Sequence, residues 1–316
     1  MEHVADIGRA LAQAALLVLC APLVTGFIQK LKARLQCRQG ADVRQPYRDL
    51  FKLLRKGSVQ SDTASPLFRA VPVLVLAATV AAAAMLPVVC LPSGPSALPI
   101  GDAILLVSLL ALARFLCAIG ALDAGGAFGG MGASREMTVG LLVEPALMLV
   151  VFSVAFAAGT TDLGQIAARR ETLPALSWQA ADLLALIAIL VLIPAETGRI
   201  PVDNPDTHLE LTMLHEGMLL EHSGPGLACL TLAAHVKQAV ILTLGAALFF
   251  PTALARNLTL AELALALGAF VLEMTLLATF LGLVESSYAK LRLFRVPQYL
   301  GVGLLCAFLA LALRVL

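Results

Sequence analysis

An all-helical protein that crosses a membrane several times is the fold class this sequence predicts, and three observations predict it. Of its 316 residues 59% are hydrophobic and 14% charged, where a soluble domain carries roughly 25% charged residues. The mean hydropathy is +0.90. Apolar stretches of spanning length recur along the chain, and the basic residues gather in alternate connections between them.

About 20 apolar residues cross a 30 Å hydrocarbon core, and eight such stretches can be placed, near 10–28, 70–91, 102–122, 137–158, 180–195, 227–250, 260–283 and 299–316. The first is read as a retained helix and not a signal peptide. Its leading residues hold Glu2 and Asp6 against Arg9, and the basic cluster follows the apolar run instead of preceding it. The fifth is the shortest. Lys and Arg are retained on the cytoplasmic side, and sixteen of the 22 fall at or near one side if the 29–69 connection is cytoplasmic. Both termini are then expected on the opposite face. The chain reads as a single domain, 1–316, with structured cytoplasmic connections at about 29–69, 123–136, 196–226 and 284–298.

The formal charge of +1 excludes a strongly basic nucleic-acid binder. The six cysteines lie at least 17 residues apart, which excludes CxxC metal signatures and suggests small apolar fillers. Any redox metal is therefore expected on another chain.

Three connections carry pattern. In 39–57, Val43, Tyr47, Leu50, Phe51 and Leu54 follow one helical face. With Arg44, Arg48, Asp49 and Lys52 around it, this is expected to be an interfacial helix that anchors to lipid and docks a cytoplasmic partner. Segment 125–136 is rich in glycine but has no Lys-Ser or Lys-Thr to make a phosphate loop; close backbone packing or a mobile loop against a partner fits it better. Segment 196–226 gathers Glu196, Asp203, Asp206, Glu210, Glu216 and Glu221 with His208, His215 and His222 at seven-residue steps. Seven residues rise about 10.5 Å along a helix, too far for one metal, whereas dense acids with imidazoles suit proton relay.

Charges inside spans mark pathways or paired sites. Arg114, Glu144, Lys237 and Glu273 fall within the expected helices. By helical rise Arg114 lies about 12 Å from the cytoplasmic end and Glu273 about 15 Å, near the midplane. All four lie in the cytoplasmic half or at the centre, so two cations and two anions could neutralise one another. Together with Glu136, Glu196, Asp203, Glu210, Glu216 and Glu221 they form the expected proton route or charge-coupling element.

The run AETGRIPVDNP, with Glu196, Arg199, Pro201, Asp203 and Pro205, resembles the signature segment of the subunit 1 family of respiratory complex I, and Glu136 falls at that family's Ser-Tyr-Glu. QPYRDLFKLLRK, GASRE, LLVEP, DNPDTHLELTMLHE and ESSYAKLRLFRVPQYL are similar to the hydrogenase branch, the membrane subunits of hydrogenase-4 and formate hydrogenlyase. The resemblance implies a multi-pass subunit of a prokaryotic cytoplasmic membrane, without a redox cofactor, catalytic residue or metal of its own. It would anchor the large and small subunits of a nickel-iron hydrogenase, whose nickel-iron centre and iron-sulfur clusters lie on those partners, and adjoin antiporter-like membrane subunits. Arg135 and Arg199 join the docking residues in this reading. Val202 and Asn204 depart from the complex I pattern and bear on quinone binding. Competing readings are a quinone-site subunit of an NADH:quinone oxidoreductase, a stand-alone ion transporter and a structural anchor.

Overall fold

The computed structural model describes residues 2–59, 64–91, 101–172, 178–203, 214–256 and 259–316. Among them are α1 (Glu2–Leu35), α2 (Gln45–Leu54), α3 (Pro66–Ala84), α4 (Ala103–Asp123), α5 (Ala127–Ala158), α6 (Leu163–Thr172), α7 (Ala180–Glu196), α8 (His215–Leu219), α9 (Gly224–Phe249), α10 (Leu260–Ser287) and α11 (Val296–Val315). No strand forms among the described residues; extended pairing is confined to two isolated bridges, Cys90 with Ala255 and Asp102 with Asp162.

Seven of these helices are long and apolar enough to cross a membrane: α1, α3, α4, α5, α9, α10 and α11. The remaining expected span, α7, has 17 residues, a rise of about 25 Å. It packs among α5, α9 and α11 and buries Ala185, Ala188, Ile189 and Leu192. The protein is thus an all-helical, multi-pass membrane protein.

Local chemistry sets the helix ends. Ser65 accepts from the Leu67 amide and Asp102 from the Ile104 amide, each satisfying an orphan donor of a first turn. Gly159 stops α5 in the left-handed conformation, φ 66°, which glycine adopts without a Cβ clash. The second stretch ends earlier than its hydropathy suggests. The helix stops at Ala84, and the turn that follows presents the amides of Val88, Val89 and Cys90 to one acceptor, Gln13 Oε1, at 2.7, 2.9 and 3.1 Å. Backbone donors need such partners in an apolar surrounding.

Two connections differ from expectation. The glycine-rich 125–136 segment is mostly helix, because α5 begins at Ala127, ten residues before the expected span. Gly126, Gly129 and Gly132 face close neighbours, and Gly125 and Gly130 do not. A Cβ on Gly126 would stand 2.3 Å from Glu221 Oε1, and one on Gly132 would stand 3.0 Å from the Leu214 carbonyl oxygen. Close packing, not a loop, is the reason for Gly126, Gly129 and Gly132. The amphipathic helix α2 begins at Gln45, after Val43, and divides its apolar residues. Leu50 is buried and the Tyr47 hydroxyl donates to the Leu19 carbonyl, while Phe51 and Leu54 are exposed.

Candidate functional site

Four helices bring charges to one point inside the bundle. Arg114 sits mid-way along α4, Glu136 and Glu144 are on α5, Glu196 is the last residue of α7, and Lys237 lies mid-way along α9. Arg114 donates through Nε to Glu136 Oε1 at 3.1 Å, through Nη1 to Glu144 Oε1 at 2.9 Å and through Nη2 to Glu196 Oε2 at 2.7 Å. Lys237 Nζ lies 2.8 Å from the same Glu196 oxygen. The planar guanidinium fork presents donors in three directions, which lets one residue serve three carboxylates. Gly140 leaves the room for it, since a Cβ there would stand 3.0 Å from Arg114 Nη1.

The cluster holds three carboxylates and two cations. In a medium of low dielectric an unmatched charge is costly, so one proton on the cluster would restore neutrality. The Arg114 and Glu196 side chains are 2% and 3% exposed, whereas that of Glu144 is 36% exposed.

A second network lies beside the first. Arg199 donates to Glu285 Oε1 at 2.9 Å and to Gln238 Oε1 at 2.8 Å. Lys32 stands 3.6 Å from the other Glu285 oxygen, and Thr25 donates to Gln238. Asp203 pairs with Lys290 at 2.8 Å and accepts from the amides of Leu214 and His215, fixing the start of α8. Thr25, Lys32, Arg199, Asp203, His215, Gln238 and Glu285 border a polar cavity of about 720 Å³. Nε2 of Gln238 and Nδ1 of His235, which line it, have no hydrogen-bond partner among the described residues.

His215 borders that cavity and also a small void of about 30 Å³ lined by Arg114, Glu136 and Lys237, space enough for a water. Protein packed around the His215 imidazole disfavours its charged form and lowers its pKa. A neutral ring with one donor and one acceptor nitrogen therefore stands between the open cavity and the buried cluster.

The expected site residues separate as follows. Glu136, Glu144, Glu196, Lys237 and Arg114 come together. Asp203 and Glu216 border the cavity, and Glu221 lies at the surface above Gly126. Glu210 lies outside the described residues, as do Asp206 and His208. Glu273 does not join the cluster. Its carboxylate accepts from the amide and hydroxyl of Thr252, in the connection beyond the far end of α9, which folds back to reach it. Glu273 therefore stands apart from the other three charges, with Thr252 as its partner. Arg199, expected on a docking face, is buried and faces the cavity. Arg44, Arg48, Asp49 and Lys52 are exposed, while Arg135 and Tyr47 are partly buried.

Glu285, Gln238, Lys32 and Lys290 belong to the site although none is expected there from the sequence; Glu285 and Lys290 stand only within the run ESSYAKLRLFRVPQYL. The expected seventh span stops at 283, and α10 continues to Ser287, which carries Glu285 inside. Among the described residues no group of His, Cys, Asp and Glu is arranged to hold a metal.

The family model described as NADH dehydrogenase matches residues 9–315. The chain belongs to this family. It is 37% identical to hydrogenase-4 component C of Escherichia coli K12 over 303 residues, covering 95% of this chain and 93% of that one. It is also 37% identical to formate hydrogenlyase subunit 4 of the same organism, over 95% and 96% of the two chains. Identity to a subunit of the NADH-quinone oxidoreductase of Rickettsia prowazekii is 26%, over 74% and 69%. Among solved structures, a chain of the archaeal membrane-bound sulfane sulfur reductase superposes with TM-score 0.80 at 22% identity, covering 98% of this chain and 99% of that one. That likeness establishes the fold of this family member.

Proposed function

We propose that this chain is the membrane-anchor and coupling subunit of an energy-converting nickel-iron hydrogenase complex of the hydrogenase-4 or formate hydrogenlyase type. It sits in a prokaryotic cytoplasmic membrane, docks the soluble hydrogenase module through the exposed basic face of α2, and links electron transfer to proton translocation. The nickel-iron centre and iron-sulfur clusters lie on the hydrogenase subunits, and antiporter-like membrane subunits adjoin this chain. Full-length similarity to the two Escherichia coli subunits supports the type of complex.

The observation that carries the coupling role is the Arg114 cluster with its excess carboxylate, reached from the polar cavity past His215. A proton entering from the cavity would pass His215, occupy the cluster and leave toward Glu144, its most exposed member. A conformational change in the docked module would act through Asp203, which ties the start of α8 to Lys290.

Affinity purification of the tagged chain from native membranes tests the assignment. A nickel-containing complex that exchanges electrons between hydrogen and a redox dye is expected. Purification of the chain without any hydrogenase would overturn it. The cavity of about 720 Å³ favours a second reading, a quinone-site subunit of a complex I-like enzyme. That reading instead requires NADH-dependent quinone reduction by the purified complex and crosslinking of a photoreactive quinone to α1 or α9.

A further inference from the structure

A separate pocket of about 240 Å³ opens between the first turns of α3 and α9, on the end of the bundle where the basic connections gather. Its wall includes Arg69, His222, Ser223, Gly226, Phe68 and Val73, and no acidic residue among the described residues lines it. Arg69 is exposed and has no ionic partner among the described residues. His222 is 7% exposed and stacks flat on Phe68, with ring centroids 4.1 Å apart. No hydrogen bond joins its ring nitrogens to another described residue. Burial lowers the His222 pKa, which leaves a neutral ring with one N–H donor.

The start of α9 adds to this. The Ser223 side chain makes no cap to the helix; its hydroxyl is taken up by the Val59 backbone, donating to the carbonyl and accepting from the amide. Pro225 has no amide hydrogen and the Leu227 amide bonds the Ser223 carbonyl, so the Gly224 and Gly226 amides are the ones left without a side-chain acceptor at the start of this 26-residue helix, where the dipole favours an anion. Among the described residues, two acids on this side are engaged elsewhere: Asp123 accepts from Ser65, and Glu221 lies over Gly126. Beside the pocket, Val73, Leu74 and Leu67 of α3 present exposed apolar side chains, a surface suited to acyl chains.

We propose that this pocket seats the phosphate headgroup of an anionic phospholipid from the leaflet at the basic end of the bundle. Arg69 supplies the charge, His222 and the uncapped start of α9 supply donors, and the apolar face of α3 holds the acyl chains. The site is independent of the Arg114 cluster and of the coupling role.

The test is native mass spectrometry of the intact complex released from nanodiscs containing phosphatidylglycerol and phosphatidylcholine in equal amounts. Retention of phosphatidylglycerol over phosphatidylcholine is expected, and Arg69→Gln is expected to weaken it about fivefold, the effect of one basic residue at a membrane surface. His222→Phe keeps the stacking and should also weaken retention. Arg34→Gln, which removes an exposed arginine on α1 away from the pocket, should leave it unchanged. Equal retention by Arg69→Gln and wild type, or equal loss with Arg34→Gln, would overturn the proposal. Displacement of the lipid by millimolar inorganic phosphate would assign the pocket to free phosphate instead and overturn the lipid. Protection of Arg69 by a co-purifying protein subunit, with no lipid retained, would also overturn it.

Discussion

Arg114 and Lys237 meet on a single oxygen, Oε2 of Glu196, at 2.7 and 2.8 Å. Helices α4, α7 and α9 are thereby joined through one atom, and Glu196 is the only carboxylate of the cluster among the described residues that touches both cations.

Glu196→Gln should damage assembly more than any other change in the cluster. Removing one partner of a buried ion pair costs about 3–5 kcal/mol, and here it strands Lys237, whose one ion pair among the described residues is with Glu196. A lower melting temperature of the purified complex is expected. The double variant Glu196→Gln with Lys237→Met should recover at least about half of that loss, because the cation stranded by the single change is then gone while Arg114 keeps Glu136 and Glu144. A double variant as unstable as the single one would argue against the unpaired Lys237 cation as the cause.

The glycines of α5 divide into two kinds. Gly132→Val should destabilise by about 1–3 kcal/mol through overpacking against α8, since even a Cβ would stand 3.0 Å from the Leu214 carbonyl. A Cβ added at Gly130 would meet nothing within 4 Å, so Gly130→Ala should be neutral or stabilising by about 0.5–1 kcal/mol. Thermal melts of the two variants measure the contrast.

His215 makes stability depend on pH. Its pKa is lowered from 6.5 in the folded chain, so the unfolded chain takes up the proton first. Stability is then highest above pH 6.5 and is lost as the pH falls from there toward the lowered folded value. Melting curves between about pH 5 and 8 should show this slope, and His215→Gln should flatten it. An unchanged slope would assign the pH dependence to other groups.

Glu273→Gln should leave proton coupling near the wild-type level. An amide oxygen still accepts from the Thr252 amide and hydroxyl, and the residue lies apart from the Arg114 cluster. Proton uptake by reconstituted complex checks this, and a loss as large as that of a cluster variant would place Glu273 on the route.

Hydropathy makes the helices legible because spanning length is a constraint on composition along the chain. Arg114, Glu144 and Lys237 stand out for the same reason, as charges inside apolar runs. Which carboxylate each cation meets depends on helix packing, which has no local signal. Glu273 shows the limit: its depth along α10 is readable, but the fold-back of the Thr252 connection is not. Glu285 escapes notice because α10 continues past its apolar run into Ser286 and Ser287, where length in the bundle, not hydropathy, decides the end. The glycines of 125–136 look like a loop because helix propensity counts against them. Contact with Leu214, Gly217 and Glu221, distant in sequence, is what the small size of Gly126 and Gly132 serves.

The most direct test of the coupling role is proton movement in proteoliposomes that contain the intact complex with Glu144→Gln. This side chain is 36% exposed, so assembly should survive. Dye-linked hydrogen turnover is expected within about twofold of wild type, while proton translocation falls at least about tenfold, the equivalent of ~1.4 kcal/mol in a barrier. Translocation that continues to match hydrogen turnover at the wild-type ratio would contradict a coupling role for the Arg114 cluster.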